Sequence, residues 1–118
     1  MIALDKKMCD EHYAHLTSKP FYPSIVSFMT SAPVIALVAQ GPEAVRVVRD
    51  MCGPTNARNA LPGTIRGDWA LSTQFNIIHA SDSVETAGKE VVRFFKKEEL
   101  HQWTRTLDAL TAGADEKK

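Results

Sequence analysis

Three features of the chain predict an α+β domain. Residues 34–39, Val-Ile-Ala-Leu-Val-Ala, form an unbroken apolar run of strand length. Residues 76–79, Asn-Ile-Ile-His, carry a second and shorter one. Around both, apolar residues recur at the three- and four-residue spacing of amphipathic helices. At 118 residues the length suits one domain, which we place over residues 1–110, with a small polar tail over 111–118.

In chain order, residues 5–16 read as a helix. Asp5 can cap it, and Leu4, Met8, His12 and Leu16 fall on one face, with Tyr13 beside them. Lys19-Pro20-Phe21-Tyr22-Pro23 interrupts, because two prolines in four residues bar a continuous helix. A second short helix carries Ile25, Val26, Phe28 and Met29 and ends at Ser31-Ala32-Pro33. The run 34–39 is apolar on both faces and should be a central strand. After the turn Gln40-Gly41-Pro42, residues 43–51 make a helix with Ala44, Val47, Val48 and Met51 inward and Arg46, Arg49 and Asp50 on the polar side. Residues 52–75 read as a long loop broken by Gly53-Pro54 and Pro62-Gly63. Residues 76–79 form a short strand. Asp82 or Ser83 caps the next helix, with Glu85 placed to complete a capping arrangement and Val84, Ala87, Val91 and Phe94 or Phe95 as its inner stripe. Lys96-Lys97-Glu98-Glu99 is a solvated run, and Leu100, Trp103 and Leu107 suggest one more helix.

Composition narrows the function classes. Hydrophobic residues make up 44% of the chain, enough for a core. Fourteen basic and fourteen acidic residues cancel, so no bulk field favours nucleic acid or an anionic membrane. No apolar run approaches the roughly 20 residues that span a bilayer. The charged start, Met1-Ile2-Ala3-Leu4-Asp5-Lys6-Lys7, does not read as a signal peptide. Cys9 and Cys52 are too few and too isolated for a disulfide framework or a zinc site. They fit two buried or half-buried thiols in a reducing, cytoplasmic setting.

The chemistry concentrates in residues 55–85. His79 ends the apolar pair Ile77-Ile78 and is followed at once by Ala80-Ser81-Asp82-Ser83, residues that stop a strand and start a helix. Upstream, Pro62-Gly63-Thr64-Ile65-Arg66-Gly67-Asp68 sets one cation between glycines. An imidazole at a strand end beside an Arg-bearing loop suits phosphate chemistry, since neutral imidazole is nucleophilic near pH 7. A single His near an apolar run also fits a structural residue. Glu90 equally fits a solvated helix position, Arg49 an ordinary surface charge and Phe21 a core side chain.

The two blocks Asn76-Ile77-Ile78-His79-Ala80-Ser81-Asp82-Ser83 and Pro62-Gly63-Thr64-Ile65-Arg66-Gly67-Asp68 resemble, in order, the active-site signature of nucleoside diphosphate kinases and the loop before it. The likeness runs from Tyr13 to Trp103. It implies a ferredoxin-like fold, an antiparallel sheet with helices on its faces, and a hexamer or tetramer. It also implies transfer of the terminal phosphate of a nucleoside triphosphate to a nucleoside diphosphate, by a ping-pong route with Mg²⁺ at the nucleotide phosphates. Residue by residue, His79 matches the phosphorylated His. Glu90 matches the carboxylate that fixes its ring, and Ser81 the hydroxyl linked to that carboxylate. Arg49, Thr55 and Arg66 match the phosphate-holding residues, and Asn76 the amide at ribose and phosphates. Tyr13 matches the ring packed against the site. Phe21 matches the aromatic under the base, with Ile25 beside it. Stacking reads a π-face and tolerates every base.

The chain departs from the family pattern at four places. Ala80 stands where Gly is commoner, Gln74-Phe75 where Gly-Arg is usual, and Ala57 where Pro is usual. The family's opening strand with Lys-Pro-Asp has no counterpart, so the expected sheet is truncated at its amino-terminal side. The alternative to an active kinase is a catalytically impaired nucleotide-binding or assembly module of the same fold.

Overall fold

The structure, a computed structural model, describes residues 1–103 and Gly113. The expected helix position Leu107 and the tail from residue 111, apart from Gly113, lie outside the described residues. The chain divides into two compact units. One comprises Met1–Leu37 and Asp50–His79, the other Val38–Arg49 and Ala80–Lys118. The helices are α1 (Lys6–His12), α2 (Tyr22–Met29), α3 (Ala44–Cys52), α4 (Ile65–Trp69) and α5 (Val84–Phe94). Short 3-10 turns cover Ala14–Leu16, Ala57–Asn59 and Lys97–Glu99.

In the first unit, the Asp5 carboxylate caps α1 by accepting from the Met8 N–H at 2.8 Å. The helix stops earlier than the apolar spacing suggests. Tyr13 leaves helical geometry (φ −105°, ψ 33°) and its N–H closes on the Cys9 carbonyl, so residues 14–16 continue only as a 3-10 turn. Leu4, Met8, His12 and Leu16 are nevertheless all half-buried, as one face requires. Helix α2 packs on α1 and has Pro23 in its first turn, where the missing N–H costs nothing. Tyr22 is buried between them and its hydroxyl donates to Asp10 at 2.7 Å. Cys9, Tyr22, Cys52, Ala57 and Ala70 form the buried apolar set. Both thiols are therefore buried, and burial pushes the Cys9 thiol above its ordinary value.

The sheet is where expectation and structure part. Among the described residues no strand ladder forms. The one pairing is an antiparallel bridge between Ile2 and Val34, with N–H···O distances of 2.9 and 2.8 Å. The run 34–39 is not a covered central strand, because Ile35 is 80% and Leu37 74% exposed. An apolar run becomes a strand only where a neighbour supplies hydrogen bonds, and among the described residues none does beyond Val34. Residues 76–79 are not a strand either. Ile77 has φ +62°, left-handed for a β-branched residue, and the Ile78 N–H turns back to the Asn76 carbonyl at 2.8 Å.

The stretch expected to be a loop is ordered. The Asn56 side chain caps the turn Ala57–Asn59, and the Thr64 hydroxyl caps α4 by accepting from the Gly67 N–H at 3.1 Å. Gly67 is required by space: a Cβ there would lie 2.0 Å from the Leu61 carbonyl oxygen. Local side-chain caps thus replace hydrophobic periodicity, which five- and three-residue elements are too short to show.

In α3 the inward residues are Ala44, Val45, Val48 and Cys52. Val47 and Met51, expected inside, are 41% and 59% exposed. Helix α5 is capped by Ser83, whose hydroxyl accepts from the Thr86 N–H at 3.0 Å. Glu85 does not complete a capping box. It pairs with Lys89 at 2.6 Å, one turn on. Ala87, Val91, Phe94 and Phe95 are half-buried as expected, whereas Val84 is 79% exposed. Residues 100–103 are not helical, and Trp103 is 75% exposed.

Candidate active site

His79 closes the first unit and is exposed. Two side chains fix the backbone that delivers it. Arg66, on the first turn of α4, is buried, and its terminal nitrogens donate to the carbonyls of Gly53 and Ile78, each at 2.6 Å. Charge-assisted bonds of this kind are among the stronger ones a chain makes. Asn76 donates through its side-chain amide to the carbonyls of Thr55 at 3.2 Å and Thr73 at 2.9 Å. The sequence puts Thr55, Arg66, Asn76 and His79 in one 25-residue stretch, and the fold ties them together through backbone carbonyls.

The His79 ring meets a second imidazole. His12, at the end of α1, stands edge-to-face against it with ring centroids 4.6 Å apart and planes at 81°. His12 also meets Tyr13 at 4.5 Å and 77°. Sequence reading places Tyr13 near the site but gives His12 only a helix-face position. No periodicity distinguishes a half-buried His that touches a second ring from one that does not.

Phe21 and Ile25 line a cleft of about 360 Å³ whose other residues are Thr73 and Gln74. Phe21 is 48% exposed, so its ring face is open to a ligand and is not core. The opposing loop is held from several sides. The Ser72 hydroxyl accepts from the N–H groups of Gln74 at 3.1 Å and Phe75 at 3.0 Å, and Phe75 packs on Phe28 of α2 at 4.6 Å. Thr73 and Gln74 carry no sequence signal as wall residues; only the fold places them opposite Phe21. A larger cleft, about 570 Å³ and lined by Lys6, Asp10, Thr17, Tyr22, Pro23, Val26 and Ser27, contains none of the candidate residues.

The second unit holds the remaining candidates. The Ser81 hydroxyl donates to the Glu90 carboxylate on α5. Arg49 reaches the Ala80 carbonyl at 3.4 Å. The Asp82 carboxyl is held below its ordinary range, first by a hydrogen bond from Thr86, with Ser83 and the Arg49 charge adding to it. Glu90 is thus a hydrogen-bonded, half-buried residue and not a freely solvated one. The expected Ser81–Glu90 link is present.

Comparison with known proteins identifies the family of the chain. The family model described as nucleoside diphosphate kinase matches residues 1–100. A nucleoside diphosphate kinase of Staphylococcus saprophyticus is 47% identical over 108 residues, covering 92% of this chain and 72% of the relative. One from Methanocaldococcus jannaschii is 50% identical over 100 residues, covering 85% and 71%. Among solved structures, a halophilic nucleoside diphosphate kinase from Halobacterium salinarum in complex with CDP is similar at a TM-score of 0.88 and 42% identity, over 92% of this chain and 72% of that one. The chain belongs to the nucleoside diphosphate kinase family.

Proposed function

We propose that this member of the nucleoside diphosphate kinase family moves the terminal phosphate of a nucleoside triphosphate to a nucleoside diphosphate by way of a phosphohistidine at His79. The observation that carries the reading is the exposed His79 imidazole, on a backbone clamped one residue earlier by Arg66. In the first half-reaction an imidazole nitrogen attacks the terminal phosphorus and the bond to the bridging oxygen breaks, releasing the diphosphate. In the second, a terminal oxygen of another diphosphate attacks that phosphorus and the N–P bond breaks. Such transfer needs positioning and positive charge more than covalent machinery.

The other roles follow the family pattern. Glu90 and Ser81 serve the orientation of the catalytic imidazole. Arg49, Thr55 and Arg66 serve the phosphates, and Arg66 holds the backbone as well. Asn76 serves ribose and phosphates, Tyr13 packs at the site, and Phe21 with Ile25 takes the base. A cleft of about 360 Å³ with an open aromatic face fits a base. The ring beside His79 is the His12 imidazole, a donor that suits Mg²⁺ poorly, so a magnesium ion would arrive on the nucleotide phosphates and keep several waters. It would supply charge neutralisation at the transferring oxygens. No helix among the described residues is long and apolar enough to cross a membrane. We further infer a cytoplasmic homo-oligomer, a hexamer or tetramer, acting on nucleotides and not on nucleic acid.

Incubation with ATP labelled at its terminal phosphate tests the reading. The protein should acquire an acid-labile, alkali-stable label that a second nucleoside diphosphate removes and that His79→Ala never forms. A label that persists in His79→Ala would place the chemistry on another residue. Nucleotide binding without any label would favour the impaired binding module.

A further inference from the structure

We propose that His12 is a positioning residue for phosphoryl transfer, setting the plane of the His79 imidazole through edge-to-face ring contact. The inference rests on the reading that His79 is the phosphorylated residue. The clamps from Arg66 and Asn76 fix the backbone approaching His79 but leave the ring's own torsions open. The χ2 torsion of a histidine is broad and roughly two-fold, so a fixed Cα does not fix a nitrogen. Exposure of His79 on a segment outside any helix or strand leaves that torsion to whatever the ring touches.

Within its unit the ring touches His12, at 4.6 Å and 81°. This perpendicular arrangement is one that ring quadrupoles favour, and it restrains rotation of one ring against the other. His12 is itself well anchored. It ends α1, which Asp5 caps, and the next residue, Tyr13, closes the helix onto the carbonyl of Cys9 at 2.9 Å. Cys9 is 2% exposed, so the helix end bearing His12 stands on a buried residue. Tyr13 adds a second edge-to-face ring at 4.5 Å. The result is a row of rings, Tyr13, His12 and His79, rooted in packed structure at one end and carrying the nucleophile at the other.

Misplacing a reacting group by about 1 Å can cost on the order of a hundredfold in rate. The test measures single-turnover formation of the labelled phosphoenzyme at saturating ATP, and KM at steady state. His12→Ala should slow phosphoenzyme formation by about ten- to a hundredfold with KM changed by less than about twofold, because orientation and not binding is lost. His12→Phe keeps an aromatic ring without a titratable nitrogen and should restore the rate to within about threefold of the parent. His12→Gln keeps polarity without a ring and should behave like Ala. The imidazole proton resonances of His79 should shift in the Ala and Gln variants and move least in Phe. If His12→Ala does not fold, the Phe and Gln pair makes the same comparison. Full rate in the Gln variant, or a Phe variant as slow as Gln while equally folded, would overturn the inference. Retention of label in His79→Ala would instead remove the phosphohistidine reading on which it rests.

Discussion

Arg66 Nη2 donates to the carbonyl oxygen of Ile78 at 2.6 Å, one residue before His79. The same guanidinium holds Gly53 at 2.6 Å, so one buried cation links three separate places in the sequence. Each hydrogen bond to a charged group contributes about 1.5–3 kcal/mol. Arg66→Met should therefore lower unfolding free energy by about 3–6 kcal/mol, a large part of a domain's usual 5–15. Arg66→Lys, a point cation without the fork, should recover less than about half of that loss. Chemical denaturation reads the effect. A Met variant as stable as the parent would show that Arg66 acts only toward ligand.

This clamp also marks how far the sequence could be read. The blocks carrying Arg66, Asn76 and His79 were legible as those of the nucleoside diphosphate kinase family, and the Ser81–Glu90 hydrogen bond is present. What Arg66 holds was not legible, because backbone carbonyls have no sequence signature. Helices α1, α2, α3 and α5 followed from caps and apolar spacing. Strands did not follow from apolar runs: residues 34–39 have strand composition, but a strand exists only with a paired neighbour, and among the described residues Val34 alone finds one, in Ile2. The turn Ala57–Asn59 and α4 were missed because single polar side chains, Asn56 and Thr64, nucleate them.

The cleft under Phe21 predicts broad base tolerance. Phe21→Ala should weaken adenine, guanine, cytosine and uracil nucleotides alike, by about 1–3 kcal/mol. Titration of the four diphosphates against both proteins measures it. A loss confined to one base would mean that Thr73 or Gln74, across the cleft, reads an edge.

Ser81 and Glu90 make the next test. Ser81→Ala removes the hydroxyl that donates to the Glu90 carboxylate. If that bond orients the carboxylate for the imidazole, phosphoenzyme formation should slow by about three- to thirtyfold, and Glu90→Ala should slow it at least as much. The double variant should be no slower than Glu90→Ala, since the two residues act as one unit. Additive losses would separate their roles.

The Tyr22–Asp10 pair gives a pH prediction. Burial, then the hydrogen bond to Asp10, raises the Tyr22 phenol to about 12. The Asp10 carboxyl is lowered, first by its bond from Lys6 and then by that from Tyr22. A phenol whose folded pKa is raised contributes stability that is complete below its ordinary value near 10 and is lost as pH rises through about 12. A lowered carboxyl contributes stability above its ordinary range and loses it as pH falls through its folded value. Tyr22→Phe should flatten the alkaline fall in melting temperature and bring the acid fall to higher pH. Melting curves of both proteins across pH 2–12 test this, and parallel profiles would count against it.

Ile35 and Leu37 are 80% and 74% exposed, and among the described residues no backbone hydrogen bond reaches residues 35–39. Unpaired N–H and C=O groups beside large apolar side chains make an edge that invites another chain. Burying each of these side chains is worth about 1.5–3 kcal/mol, so two together supply roughly 3–6 kcal/mol toward association. We expect sedimentation to show association that deepens with protein concentration. Replacing both residues, Ile35→Lys with Leu37→Lys, should suppress it, because lysines on an edge repel an incoming copy while their stems leave the local backbone undisturbed. Helix content by circular dichroism should stay constant, since neither residue lies in a helix. A parent protein whose sedimentation is independent of concentration would show that the run from Ile35 to Ala39 is satisfied by solvent and carries no drive to pair.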